Sequence, residues 1–312
     1  MMDNNNRQAR KGLLPAPRGR VRHVVVFLLF LLVSAAAVAE QDSLYIAGGG
    51  SPALTDLVQN RVQARFGGSV QLRAYNQDTD PDALVLAVSA DALAEVRANN
   101  ADQPVISLFS TARETERIIA NPGRFSAIYS DPPLRRQLAL GQLIIPRART
   151  VAILSSRERA GTFEALIQSA ELIGLEARVF VVSSNDTLIQ DLTRALAFGD
   201  FLLGTPDSRI FNRNTVKPLL LTSYRRNRLV IGPSRPFVRA GSVASTYTPA
   251  KDQVNEGLQL VEAWFGTGEL PQPRYPDQFQ VTVNQQVARS MNLPLPSEEA
   301  LRESLRAGED KQ

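Results

Sequence analysis

The stretch Ser43-Leu44-Tyr45-Ile46-Ala47-Gly48-Gly49-Gly50-Ser51-Pro52 decides how this sequence is read. Five residues suited to a strand run into three glycines. Ser51 then stands where a helix is capped, and Pro52 occupies the first helical position, where its missing N–H costs nothing. Beyond it Leu54, Leu57, Val58 and Val62 fall at i, i+3, i+4 and i+8, the apolar stripe of an amphipathic helix. Strand, tight turn and capped helix together open a βαβ unit.

The same alternation continues outward from this unit. Strands are predicted over 70–73, 83–88, 104–109 and 127–129, with a helix over 91–99. A second series follows: a helix over 134–144 ended by Pro146, a strand over 150–154, and a helix from a Thr162 cap to residue 173 before Gly174. Next come a strand over 177–182, a helix over 187–197, a strand over 201–204, a helix over 215–223 and a strand over 229–232. Thr248 as N-cap with Pro249 then opens a helix carrying Val254, Leu258, Val261 and Phe265 on one face. A late strand over 278–284 and short helices near 285–291 and 297–306 complete the pattern. Two series of this kind imply an α/β protein of two doubly wound parallel-sheet lobes of similar size. Ligands in such folds bind at the carboxyl ends of the strands.

Composition narrows the function. The 312 residues include 35 Lys and Arg, 31 Asp and Glu, and 44% apolar residues, a globular balance. There is no cysteine, and the single histidine is His23. Residues 1–39 read as an export signal: Arg7, Arg10, Lys11, Arg18, Arg20 and Arg22 precede an uncharged apolar run over 24–39 that ends in Ala37-Val38-Ala39 before Glu40. The run is 16 residues, shorter than the ~20 that span a bilayer. An uncleaved N-terminal anchor is the alternative reading. Without residues 1–39 the chain keeps 29 basic and 30 acidic residues, a net charge of about −1, so no basic excess points to nucleic acid. With His23 gone there is no imidazole and no thiol, which excludes Ser-His-Asp triads, HExxH zinc sites and cysteine nucleophiles. Neither a G-x-S-x-G elbow nor a Gly-Lys-Ser/Thr phosphate loop is present. The expectation is a periplasmic protein, monomeric, that is not an enzyme and has no catalytic residue, cofactor or metal.

Several polar residues follow predicted strands and are candidates for ligand binding. Gly49 and Ser51 lie in the first turn, where backbone N–H groups face outward; the bland reading is a tight turn with Ser51 capping. Ser89, Ser110 and Thr111 follow strands of the first lobe, and Ser155, Ser156, Ser183, Ser184 and Asn185 strands of the second; each also fits a simple helix cap. Asp207 ends a strand and is suited to a ligand ammonium. Ser234, Arg235 and Phe237 follow the next strand, Arg235 suited to a carboxylate and Phe237 to a ring; the bland reading is interlobe packing. The small residues over 240–245 lead into a candidate hinge, with Tyr247 beside it. Trp264 is most simply lobe packing.

The segments Ser223-Tyr224-Arg225-Arg226-Asn227-Arg228-Leu229-Val230-Ile231-Gly232-Pro233-Ser234 and Phe237-Val238-Arg239-Ala240-Gly241-Ser242-Val243-Ala244-Ser245-Thr246-Tyr247 resemble the ABC transporter substrate-binding protein family, similar in fold to type I periplasmic binding proteins. Ile128-Tyr129-Ser130-Asp131-Pro132-Pro133, Thr205-Pro206-Asp207 with Ile210-Phe211-Asn212, and Val281-Thr282-Val283-Asn284 with Val287-Ala288 extend the likeness to about residues 127–296. The resemblance implies a Venus flytrap with three interlobe crossings, near Pro146, near 245–248 and near 268–276. Lobe 1 then comprises 40–146 and 247–272, and lobe 2 comprises 147–246 and 273–296. Residues 297–312 form a C-terminal helix and tail. It also implies closure on a small polar ligand, an amino acid or related compound, and delivery to an ABC permease. The alternative is a periplasmic sensor that controls a membrane signalling partner without transport. The short Asp131-Pro132-Pro133 link departs from the family, which often has a longer glycine-rich stretch there.

Overall fold

The computed structural model describes residues 42–119 and 123–309. The expected export signal lies outside them. The first sheet contains β1 (Asp42–Ala47), β2 (Val70–Ala74), β3 (Leu84–Ala87), β4 (Val105–Leu108) and β5 (Phe125–Ile128). All its pairings are parallel, in the order β2-β1-β3-β4-β5. The second sheet contains β6 (Thr150–Ser156), β7 (Glu176–Val182), β8 (Phe201–Leu203), β9 (Leu229–Ile231), β10 (Ala244–Tyr247) and β11 (Gln280–Val283). Read from the other edge its order is β7-β6-β8-β9-β10-β11, the first sheet's pattern with one antiparallel strand added. In each sheet the strand order reverses beside the opening strand. That is the point where α/β folds place ligands.

Alternate residues of each strand serve opposite faces, so each sheet needs two covers. On the first sheet Leu44, Ile46, Leu86 and Ile106 meet α1 (Pro52–Phe66) on one face. On the other, Val85, Ala87 and Val105 meet α2 (Ala90–Asn99). On the second sheet Val151, Ile153, Phe201 and Ile231 meet α4 (Leu134–Ile144) and α5 (Glu164–Leu172). The opposite face, Ala152, Leu154, Leu202 and Val230, meets α6 (Leu188–Phe198) and α7 (Val216–Arg225).

Two elements absent from the predicted set are short polar helices, α3 (Ala112–Ile118) and α8 (Arg235–Ala240). The first carries a capping box. Thr111 Oγ1 accepts from Glu114 N at 3.2 Å, and Glu114 Oε2 accepts from Thr111 N at 2.8 Å. That Thr-x-x-Glu spacing is visible in the sequence. Residues 244–247 form strand β10, which runs directly into the chain's return to the first lobe. Ser51 occupies the N-cap of α1 without a side-chain bond. Thr162 does not cap α5, because a 3-10 turn over Arg157–Phe163 precedes it and Thr162 Oγ1 donates to Arg159 O at 2.9 Å.

The helix α4 corrects the expected first crossing. It packs on the second sheet, where a Cβ on Gly141 would lie 2.5 Å from the Phe201 ring. The chain therefore leaves the first lobe over 129–133, not near Pro146, and α4 belongs to lobe 2. The mirror arrangement occurs in α9 (Ala250–Thr267), which returns to the first sheet and presses Gly257 against Leu108. The second crossing is at 247–249. Thr248, expected as the cap of α9, instead donates its hydroxyl to Gln278 O at 2.7 Å, and Pro249 holds the N-cap. The third crossing follows Gly268. Arg274 pairs beside Ile128 at the edge of the first sheet before the chain enters β11. The antiparallel β11 leads into α10 (Gln285–Ser290) and α11 (Glu298–Glu309), and α11 packs through Leu301 and Leu305 on the second lobe.

Two buried side chains hold the segments beside these crossings. Gln137 on α4 uses all its polar atoms. Its Nε2 donates to Gly232 O at 2.7 Å and Ser245 Oγ at 2.8 Å, and its Oε1 accepts from Thr246 N at 2.8 Å and Oγ1 at 3.0 Å. Glu256 on α9 accepts from Arg274 Nη1 at 2.6 Å, Gln278 N at 2.9 Å and Asp277 N at 3.1 Å. Removing one partner of such a network orphans the rest, which costs about 3–5 kcal/mol for a buried pair. Glu256→Ala is expected to lower the melting temperature by roughly 6–15 °C for that loss, while Glu262→Ala, which breaks the exposed pair with Arg65, shifts it by less than about 3 °C. Thermal unfolding of the two variants side by side checks this.

Candidate functional site

Between the lobes lies a cleft of about 630 Å³. One wall comes from Thr111 and α3, with Arg113, Glu114 and Arg117. The other comes from the turns after β8 and β9, with Asp207, Arg209, Phe211, Ser234 and Phe237. The first crossing closes one end with Ser130, Asp131 and Pro132. A second space of about 350 Å³ adjoins it, lined by Glu116, Asp131, Arg159 and Tyr275. Both spaces share Arg113, Arg117, Asp131, Glu158 and Pro206, so they are two parts of one cleft.

Of the residues expected from sequence, Thr111, Asp207, Ser234 and Phe237 come together here. Asp207 is 3% exposed. Its Oδ2 accepts from Ser156 N at 3.0 Å and Ser156 Oγ at 2.7 Å, and its Oδ1 accepts from Arg209 N at 3.2 Å. This ties the end of β6 to the turn after β8, across the point where strand order reverses. The carboxylate thus shapes the wall, with its lone pairs largely engaged by the protein. Phe237 stands edge-on to Phe211, ring centres 5.9 Å apart, and makes the wall's apolar part.

The other candidates lie outside the cleft lining and have local partners. Ser89 Oγ accepts from Ala92 N at 3.0 Å as the cap of α2, and it backs directly onto Gly49. Ser110 Oγ shares a hydrogen bond of 2.8 Å with Ser107 Oγ. Ser155 Oγ donates to Ser156 O at 2.9 Å. Ser184 closes a turn, its Oγ accepting from Thr187 N at 3.3 Å. Arg235 lies on α8 and stacks on the Tyr247 ring at 4.7 Å, so those two residues pack on each other. Ser51 stays at the start of α1.

Sequence reasoning found Thr111 but missed the rest of the wall that α3 provides and the charged part of the cleft beside it. Phe109, just before α3, has φ of +61°, a left-handed conformation uncommon for an aromatic residue. It turns the chain sharply from β4 into the cleft wall. Asp131 sits at the first crossing, where its Oδ1 accepts from Ala112 N at 2.9 Å. Burial pushes its carboxyl up to about 6, against the lowering effect of that hydrogen bond. Burial also raises the Tyr275 and Tyr129 hydroxyls, whose rings meet edge-on with centres 5.0 Å apart.

The raised Asp131 carboxyl has a defined consequence for stability. The folded chain holds this proton up to about pH 6, whereas an unfolded aspartate releases it near 3.9. Folding therefore binds a proton in that window, and the cost of the ionised carboxylate grows as pH rises from about 4 to 6. Asp131→Asn is expected to raise the melting temperature at pH 7.5 by roughly 2–6 °C. At pH 4.5 the difference shrinks toward zero. Melting curves of both proteins across pH 4.5–7.5 check it; an equal offset throughout would contradict the assignment.

Comparison with solved structures agrees with this architecture. No protein-family model matches the sequence, and no curated protein matches it either. A ligand-free, open substrate-binding protein with adhesive properties from Clostridium difficile is similar at a TM-score of 0.67 and 13% identity, over 83% of this chain and 97% of that one. An ABC domain in complex with L-Trp from Streptococcus pneumonia is similar at a TM-score of 0.57 and 17% identity, over 85% of this chain and 98% of that one. A conserved domain protein from Vibrio cholerae is similar at 0.57 and 12%, over the same shares. Two parallel-sheet lobes joined by three crossings, similar over nearly the full length of these neighbours, give this chain the type I periplasmic-binding-protein fold.

Proposed function

We propose that the protein is an exported solute-binding protein that closes its two lobes on a small polar ligand and presents it to an ABC permease. The observation that carries this reading is the cleft itself. Its walls come from strand-end segments of two separate parallel sheets, joined by chain crossings at one side. A ligand touching Arg113 on one wall and Phe237 on the other favours whichever arrangement of lobes lets both be reached at once. The shift it produces equals its differential affinity for that arrangement.

Export rests on the basic and apolar sequence of residues 1–39. No helix among the described residues is long and apolar enough to cross a membrane. The cleft offers polar groups at several positions and a single aromatic pair, Phe211 and Phe237, a lining suited to a ligand that is part polar and part ring or chain. L-tryptophan, held by one structure of similar fold, is therefore a sensible first probe. Among the proposed ligand-contacting residues are Ser234 and Phe237, with Thr111 and Arg113 opposite them.

Small molecules carried through purification under native conditions, identified by mass spectrometry, name the ligand. Small-angle scattering with that ligand, or with L-tryptophan, is expected to show a smaller radius of gyration than the stripped protein. Phe237→Ala is expected to weaken binding of the same molecule by about tenfold or more, roughly 1.4 kcal/mol. A protein that carries no small molecule and keeps its shape with every probe would overturn the reading.

A further inference from the structure

One part of the cleft holds a buried guanidinium to which the protein gives no ion-pair partner. Arg159 lies in the 3-10 turn after β6 and is only 9% exposed. Its guanidinium lies 5.3 Å from the centre of the Phe163 ring, and its Nη1 has no hydrogen-bond partner among the described residues. It lines the 350 Å³ space. Buried polar groups in proteins are nearly always partnered, and a buried charge left alone is costly. Burial accordingly pulls the guanidinium below its ordinary range.

Most of the carboxylates nearby are committed elsewhere; Glu116, which lines the same space, is exposed and acts on Arg159 through space. Asp207 is held by Ser156 and by the Arg209 backbone. Asp131 is held by the Ala112 backbone. Glu158 pairs with Arg209 at 2.5 Å, and Glu114 is folded back on Thr111. None of them forms an ion pair with Arg159. Asp207 and Asp131 do act on it through space, and Arg113 adds a second positive charge.

We propose that Arg159 anchors an anionic group of the ligand, a carboxylate, in the 350 Å³ part of the cleft, while the rest of the ligand occupies the adjoining 630 Å³. The guanidinium fork takes a carboxylate or a phosphate with two parallel hydrogen bonds, and the charge around it selects between them. The flanking Asp131 and Asp207 leave room for one negative charge and repel a second. The ligand class is thereby narrowed to small carboxylic acids, amino acids among them. This inference rests on the cleft being the binding site, as proposed above.

The test uses simple probes, so it needs no knowledge of the ligand. Melting of the full protein is followed against sodium acetate, sodium phosphate and ribose, with ionic strength held constant by sodium chloride. Acetate is expected to raise the melting temperature of wild type in a saturable way, phosphate to do so less, and ribose to leave this response unchanged when added with acetate. Arg159→Met is expected to weaken the apparent acetate affinity at least tenfold, and to melt no lower than wild type without anion, since it removes a buried nitrogen that lacks a hydrogen-bond partner. Arg159→Lys, which keeps the charge and loses the fork, is expected to fall between the two. Should Met not be tolerated at that position, the comparison of wild type with Arg159→Lys and Arg113→Gln carries the test. Acetate protection equal in wild type and the Arg159 variants, or absent from wild type, would overturn the proposal. A stronger response to phosphate would overturn the choice of carboxylate. None of these outcomes bears on lobe closure, which scattering with the co-purified ligand tests separately.

Discussion

Parallel strand pairing is the constraint from which the rest of the structure follows. Parallel neighbours need a crossover, the crossover is right-handed, and every strand of a sheet then ends at the same edge. Two such sheets in one chain, with matching strand orders, place their reversal points at comparable positions. The three crossings turn those edges toward a shared cleft. Glu256 makes the arrangement specific, because this buried carboxylate on α9 is satisfied only when the third crossing lies against it. Gln137 ties α4 to the end of β9 and to β10 within the second lobe.

The hydrophobic pattern made most of the fold legible. Strands such as 84–87 and 105–108 are buried on both faces and read as continuous apolar runs, while the helices 134–144 and 250–267 show clear stripes. What was not legible was the side of the molecule on which α4 lies. Its apolar stripe is the same whichever sheet it covers, and the close approach of Gly141 to Phe201 and the hydrogen bonds of Gln137 distinguish them. The strand β10 was hidden by its small polar residues Ser245 and Thr246, which are fully buried because Gln137 satisfies them.

The candidate site was legible in part. Strand-end position picked out Thr111, Asp207, Ser234 and Phe237, which line the cleft. The same rule also picked out Ser89, Ser110 and Ser155, whose hydroxyls are absorbed by neighbouring backbone or by Ser107. Position along a strand does not reveal whether a hydroxyl points outward or back to its own turn. The charged residues of the cleft were passed over for a different reason. Arg113, Arg117 and Arg159 sit in stretches dense with Arg and Glu, which by pattern resemble ordinary solvated surface. Their significance depends on which carboxylates have been consumed by local hydrogen bonds, a property of three-dimensional arrangement alone.

The chain contains no cysteine, so labels can be placed at two chosen positions and nowhere else. Arg117 and Ser208 are exposed and stand on opposite walls of the cleft. The most direct measurement is the distance between spin labels on Arg117→Cys and Ser208→Cys, recorded on the stripped protein and again with the co-purified small molecule restored. The account expects a shorter and narrower distance distribution with the ligand bound. An unchanged distribution at saturating ligand would contradict lobe closure.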